Sequence, residues 1–202
     1  MHDSQVCGPV AGEDGSCDRR CMSTPVHIVD HDPRWFAEFR DLGACLRAAL
    51  GDVALRIDHI GSTSIAGLAA KPVIDVQVSV RSLAPVDAYR PALLALGLIH
   101  RADNPDRTRR YFREAPGARR THLHVRQLGS FGQQIPLLFR DYLRGHPAAA
   151  GEYATVKRRC AAEFRHDRGG YVQAKASFVW EVIRRADGWA QRVGWTPGPS
   201  DA

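Results

Sequence analysis

No apolar run in this 202-residue sequence approaches the roughly 20 residues that a membrane-spanning helix needs, and the N-terminus lacks the apolar core of a signal peptide. Membrane and secreted classes are set aside, and a cytoplasmic location is expected. Cysteine is sparse and irregularly placed, at positions 7, 17, 21, 45 and 160. Cys17 and Cys21 have no second Cys or His pair at zinc spacing, so no structural zinc is expected there. An odd number of cysteines without a signal sequence fits a reducing compartment, and Cys45 and Cys160, on helical patterns, read as buried thiols. Excess charge is modest as well: 28 Lys+Arg against 22 Asp+Glu leaves +6. That favours anionic partners such as phosphates. Without a basic-aromatic strand pattern it does not point to nucleic acid.

What is present suits one domain with a full core. Residues 1–24 are rich in Gly, Ser and Asp with little apolar periodicity and read as a flexible leader. A single domain is expected over 25–194, followed by a C-terminal tail at 195–202. Asp32-Pro33 signals a helix start, and Trp35, Phe36, Phe39, Leu42, Leu46 and Leu50 recur at helical spacing until Gly51. Val53, Leu55 and Ile57 then alternate in a strand from Val53 to Ile60.

The most informative stretch runs from Asp58 to Val80. It holds a strand end, a Gly61-Ser62-Thr63-Ser64 turn, a connector with a lone Lys71, and a strand from Val73 to Val80. In that strand Ile74, Val76, Val78 and Val80 point one way, and Asp75, Gln77 and Ser79 the other. A small-residue turn beside a polar shelf lets backbone and hydroxyl groups approach a phosphate, while a carboxylate holds its counter-cation. Gly-Ser-Thr is equally ordinary turn chemistry. His59, delivered to the mouth of the turn, is placed either to touch a ligand or to make a structural hydrogen bond.

Farther on, a helix is read over Leu83 to Leu96, interrupted or started by Pro91, and short strands at Leu98–His100 and Tyr111–Arg113. Between them lies a charged loop whose Arg107, Arg109 and Arg110 either meet a phosphate or are solvated. Thr121 to Gln127 alternates His122, His124 and Arg126 with Leu123 and Val125. If its polar face lies beside that of Val73–Val80, then Asp75, His122 and His124 converge on one cation, the alternative being a half-exposed strand. The last third is helical: Gln133–Arg144, Pro147–Phe164 and, after Gly169-Gly170, one long helix Tyr171–Val193. Arg140 and Arg144, one turn apart, with Lys157 and Lys175 on the following helices, make either a basic wall for an anion or a solvated surface.

HIGSTSIAGLAAKPVIDVQV resembles the signature of the GrpB family, a branch of the nucleotidyltransferase superfamily. The resemblance extends to the His-Leu-His-Val strand and to FRDYLRGHP, YATVKRRCAAEF and YVQAKASFV, covering roughly Val26 to Ile183. It implies an α+β fold, a nucleotidyltransferase-like mixed β-sheet flanked by helices with a helical C-terminal part. It also implies a nucleoside triphosphate as substrate and a divalent metal, Mg2+ or Mn2+, with Zn2+ a further candidate, held by Asp75, Gln77, His122 and His124. In the implied chemistry Ser62 and Ser64 hold the triphosphate with the turn backbone, Asp75, His122 and His124 are catalytic, and Lys71 and Arg140 neutralise phosphate charge. Arg126, Arg144, Lys157 and Lys175 complete the candidate ligand-binding set. One departure stands out. The superfamily uses three carboxylates for two metals, whereas Gln77 stands where the second acid of the strand is expected. The function implied is metal-dependent nucleotidyl transfer to a small-molecule acceptor, or a non-catalytic module binding a nucleotide or coenzyme A, since GrpB-like domains occur fused to dephospho-CoA kinase.

Overall fold

A computed structural model describes residues 25–202; the leader expected at 1–24, with Cys7, Cys17 and Cys21, lies outside the described residues. The first helix, α1, is Arg34–Leu50. Its start is set as the Asp-Pro pair suggests: the Asp32 carboxylate accepts the Arg34 backbone N–H at 2.9 Å, satisfying a donor that the first turn leaves free. Trp35, Phe39, Leu46 and Leu50 are buried along its inner stripe. Cys45 lies on the outer side and is exposed, contrary to expectation, whereas Cys160 is buried.

Five strands form one mixed sheet in the order β1-β2-β5-β4-β3, with β1 at Arg56–Ile60, β2 at Ile74–Val80, β3 at Leu98–His100, β4 at Arg109–Glu114 and β5 at Thr121–Gln127. The first strand is shorter than expected: Gly51–Val53 is a 3-10 turn, and Val53 and Leu55 are each 38% exposed rather than turned into a core. β2 pairs antiparallel with β1 and parallel with β5, so it is interior. Ile74, Val76, Val78, Val80, Leu123, Val125 and Phe112 form one buried cluster with α1 and Leu93 of α2 (Arg90–Ala95). The helix expected from Leu83 is confined to α2 because Pro91 occupies its first turn, where a missing N–H costs nothing.

The C-terminal part is helical, with α3 at Phe131–Gly145, α4 at Pro147–Glu163, α5 at Arg168–Ala174 and α6 at Ala176–Val193. The expected single helix from Tyr171 is thus two, and Gly169-Gly170 lies inside α5 rather than before it. Asp167 caps α5 by accepting the Gly170 N–H at 2.9 Å, and a Cβ at Gly170 would stand 2.4 Å from the Phe164 ring. A glycine is required there for close approach. Ile65, Leu68 and Ala69 of the connector join Leu138, Leu143, Ala150 and Val182 in a second cluster. The C-terminal helices therefore pack chiefly on the connector and on each other. Residues 200–202 run along β1, where Asp201 and Ala202 N–H groups both reach Ile57 O at 3.1 Å. Among the described residues no helix is long and apolar enough to cross a membrane.

Candidate functional site

The pairing of β2 with β5 fixes the site. Asp75 stands opposite His122, and Gln77 opposite His124; on the other side of β5, Tyr111 stands opposite His124 and Arg109 opposite Arg126. Because side chains alternate, Asp75, Gln77, His122, His124, Tyr111 and Arg109 share the face turned away from α1. At one end this face is covered by the start of α3, where Gln77 Nε2 donates to Gln133 O at 2.9 Å and Gln77 is fully buried. The other end opens into a cavity of about 450 Å³.

Three walls enclose it. The turn contributes Gly61, Ser62 and Thr63, the sheet contributes Asp75, Arg109, Tyr111, His122 and His124, and the helices contribute Tyr153, Lys157, Arg168, Tyr171 and Lys175, with Lys71 from the connector. Gly61 has φ 69°, and a Cβ there would stand 2.5 Å from Asp75 Oδ2. Both facts demand glycine, since the turn must lie directly against the carboxylate. Thr63 and Ser64 spend their hydroxyls on the turn itself, donating to Val73 O at 3.1 Å and to Gly61 O at 2.6 Å. Ser62 is left facing the cavity, 2.9 Å from Lys157 Nζ.

Asp75 Oδ1 lies 3.0 Å from His122 Nδ1. An ionised carboxylate only accepts, so Nδ1 carries the proton and Nε2 is left as the acceptor in the neutral ring. That Nε2 is buried without a hydrogen-bond partner. Burial works to raise the Asp75 pKa, but the His122 hydrogen bond and the charges of His122, His124 and Lys71 prevail and hold it below the ordinary carboxylate value. His124 differs. Its Nδ1 lies 3.0 Å from Arg109 Nη1, and since guanidinium only donates, His124 Nδ1 accepts; burial, aided by Arg109 and Arg126, takes its pKa to about 3.

The lysines of the cavity rest on aromatic rings rather than on carboxylates, whereas Arg109 pairs with Asp106 at 3.2 Å. Lys71 and Lys175 lie 4.6 and 5.6 Å from the centre of the Tyr171 ring, and Lys157 lies 4.5 Å from that of Tyr153 while donating to Ala69 O. Burial, with Arg168 and Lys175 nearby, lowers Lys71 to about 8. Burial, with Lys175, Arg158 and Lys71, lowers Lys157 to about 7. Three lysines this close together, with Asp75 the one acid lining the cavity among the described residues, imply a net local attraction for anions.

Several expected residues stand elsewhere. His59 is buried on the α1 side, stacked on Phe39 at 4.6 Å, and its Nε2 bonds Thr63 Oγ1 at 3.0 Å. Because the Thr63 proton is already given to Val73 O, His59 donates here, so it is a structural group. Burial takes it to about 3. Arg140 is buried and bonds His59 O at 3.0 Å and Asp201 at 2.7 Å, while Arg144 donates to Ser64 O and lines a separate apolar cavity with Phe36, Ile65 and Leu68. The expected basic wall is therefore divided: Lys157 and Lys175 face the cavity, Arg140 and Arg144 do not. Ser64 is locked in its turn, and Arg126 packs against Gly132 of α3. Conversely, Arg168, Tyr111, Tyr153 and Tyr171 line the cavity although sequence reasoning passed over them, and Arg109 was left open.

The four-ligand metal set does not assemble. Gln77 is covered by α3, which takes its Nε2 and leaves its Oε1 buried without a partner, His124 offers Arg109 its lone pair, and only Asp75 and His122 are adjacent. Among the described residues no three His, Cys, Asp or Glu side chains gather in a metal-holding group. The donor set does not fit a resident two-metal centre, for want of carboxylates.

The sequence pattern described as GrpB protein matches residues 25–185. The chain belongs to the GrpB family. A solved GrpB structure from Enterococcus faecalis is 31% identical with a TM-score of 0.74, covering 81% of this chain and 99% of that one. UPF0157 protein BH1888 of Halalkalibacterium halodurans is 35% identical over 80% of this chain and 83% of its own. A dephospho-CoA kinase of Mycolicibacterium paratuberculosis is 35% identical over 89% of this chain but 50% of its own. This GrpB chain spans about half the length of that relative, and 48% of YqkA from Bacillus subtilis.

Proposed function

We propose that this GrpB protein binds a nucleoside triphosphate, or another small molecule with several phosphate charges, in the cavity between the Ser62 turn and α4–α6, and transfers its nucleotidyl group to a small acceptor. The observation that carries this is the grouping of Lys71, Lys157, Lys175 and Arg168 around a turn held against a lone carboxylate. Phosphates sit on the lysines and Ser62. His122, oriented by Asp75, takes the proton of the attacking hydroxyl at Nε2. Positive side chains neutralise the leaving pyrophosphate. The kinase relative's name supports a phosphorylated coenzyme as a candidate ligand too. A second reading, a non-catalytic nucleotide or coenzyme A module, is favoured by one observation: Gln77 gives the site one acid on β2 where transferases of this superfamily are expected to carry two.

Nucleoside triphosphate is expected to raise the melting temperature by mass action, and Lys71→Ala to weaken binding about 10- to 100-fold, the scale of a lost charge-assisted hydrogen bond. Ser62→Ala should weaken it less. Thermal shift with a panel of nucleotides and coenzyme A checks both; no shift at millimolar ligand rejects both readings. The pH dependence has a definite sign. A phosphate monoester completes its ionisation near pH 6, whereas Lys157 and Lys71 lose charge through about 7 and about 8. Affinity therefore falls as pH rises from 7 to 9, a trend opposite to that of ligand charge.

A further inference from the structure

The cavity holds two proton-accepting pairs on different walls, although direct transfer to an acceptor needs only one. Asp75–His122 belongs to the sheet. The other pair joins the turn to α4: Ser62 Oγ lies 2.9 Å from Lys157 Nζ. Of the three hydroxyls of the turn, Ser62 alone is not given to a backbone carbonyl. Lys157 is 2% exposed. Its other hydrogen bond is to Ala69 O, and the charged groups around it are all cations: Lys71 from the connector, Lys175 between α5 and α6, and Arg158 on its own helix. A neutral amine so placed donates to Ala69 O and keeps its lone pair for the Ser62 hydroxyl.

We propose that Ser62 is a nucleophile, with Lys157 as its base, that carries the nucleotidyl group on its own hydroxyl before the group passes to an acceptor. This inference rests on the nucleotide reading above. In the first step Ser62 Oγ bonds to the α-phosphorus of the nucleoside triphosphate, the bond from that phosphorus to the β-bridging oxygen breaks, pyrophosphate leaves, and the hydroxyl proton passes to Lys157. In the second the acceptor hydroxyl attacks the same phosphorus and gives its proton to His122 Nε2. The Ser62 oxygen leaves and recovers its proton from Lys157. His122 then returns one proton to solvent, the balance of transfer from a triphosphate to a hydroxyl. The cationic surroundings and burial that lower the Lys157 amine toward neutrality make it competent as a base near pH 7.

The test omits any acceptor. Wild type and His122→Gln are incubated separately with each common nucleoside triphosphate and Mg2+, and the intact mass and modified peptide are read. One nucleotidyl group per chain on Ser62 is expected, persisting longest in His122→Gln, whose second step lacks its base, and absent from Ser62→Ala. Lys157→Met should slow its formation about 100-fold, the scale of a lost general base. Lys157→Arg should be equally slow, because guanidinium keeps the charge but cannot take a proton. Formation should also quicken with rising pH. Triphosphate binding by thermal shift without any adduct overturns the inference and leaves the nucleotide reading standing; absence of binding overturns both. An adduct elsewhere than Ser62, or one formed as fast by Lys157→Arg as by wild type, also overturns it.

Discussion

Asp75→Asn is expected to lower nucleotidyl transfer by about two to four orders of magnitude, the range for loss of an oriented general base, while nucleotide affinity stays the same or tightens. The carboxylate holds the proton of His122 on Nδ1 across 3.0 Å. An amide can present its N–H instead, which moves the ring proton to Nε2 and removes the lone pair that accepts the acceptor's proton. Affinity does not suffer because Asp75 is an anion facing the place where phosphates sit. Single-turnover transfer and calorimetric binding on the same protein separate the two effects. Transfer kept by Asp75→Asn, with a lowered melting temperature, would make the carboxylate a brace for the turn and nothing more.

The second large effect falls on stability. Arg140 is 3% exposed and joins Asp141 at 2.7 Å, Asp201 at 2.7 Å and the His59 carbonyl at 3.0 Å. Arg140→Met leaves the His59 carbonyl and Asp201 without this cation and Asp141 with only Arg144 at 3.8 Å, at a cost of about 3 kcal/mol, the lower end for breaking a buried pair because both acids retain some solvent. Urea unfolding measures it. Nucleotide affinity should stay within about twofold, since Arg140 lies outside the cavity. A large loss of affinity with unchanged stability would restore it to the ligand wall.

The shared polar face of β2 and β5 is readable because alternation is a local property: once Ile74, Val76, Leu123 and Val125 choose the core, Asp75, His122 and His124 share the opposite face, whereas the parallel pairing that sets Asp75 opposite His122 is a long-range fact. The same rule was available for His59. Ile57 turns inward, so His59, two residues on, turns inward as well, and its place at the strand end was misleading. Arg140 and Arg144 share a helix face, but which neighbour that face meets depends on the return of residues 200–202 along β1, a long-range fact no local pattern contains. Tyr153 lies among the buried residues of α4, a position that helical periodicity assigns to packing. It does pack, yet its ring also supports Lys157, a double use that periodicity does not distinguish. Gly169-Gly170 suggests a gap between helices where the chain instead needs one glycine, Gly170, against Phe164. Gln77 is legible as a missing acid; that α3 takes its Nε2 follows only from helix placement.

The claim that the lysine-lined cavity reads phosphate charge is tested most directly by calorimetric titration of one nucleoside with its mono-, di- and triphosphate into wild type and the Lys71→Ala, Lys175→Ala double variant at low ionic strength. Affinity should rise with each added phosphate in wild type, weaken with salt, and lose most of that rise in the double variant. Equal affinity for all four ligands, or a rise left intact without the two lysines, would contradict it.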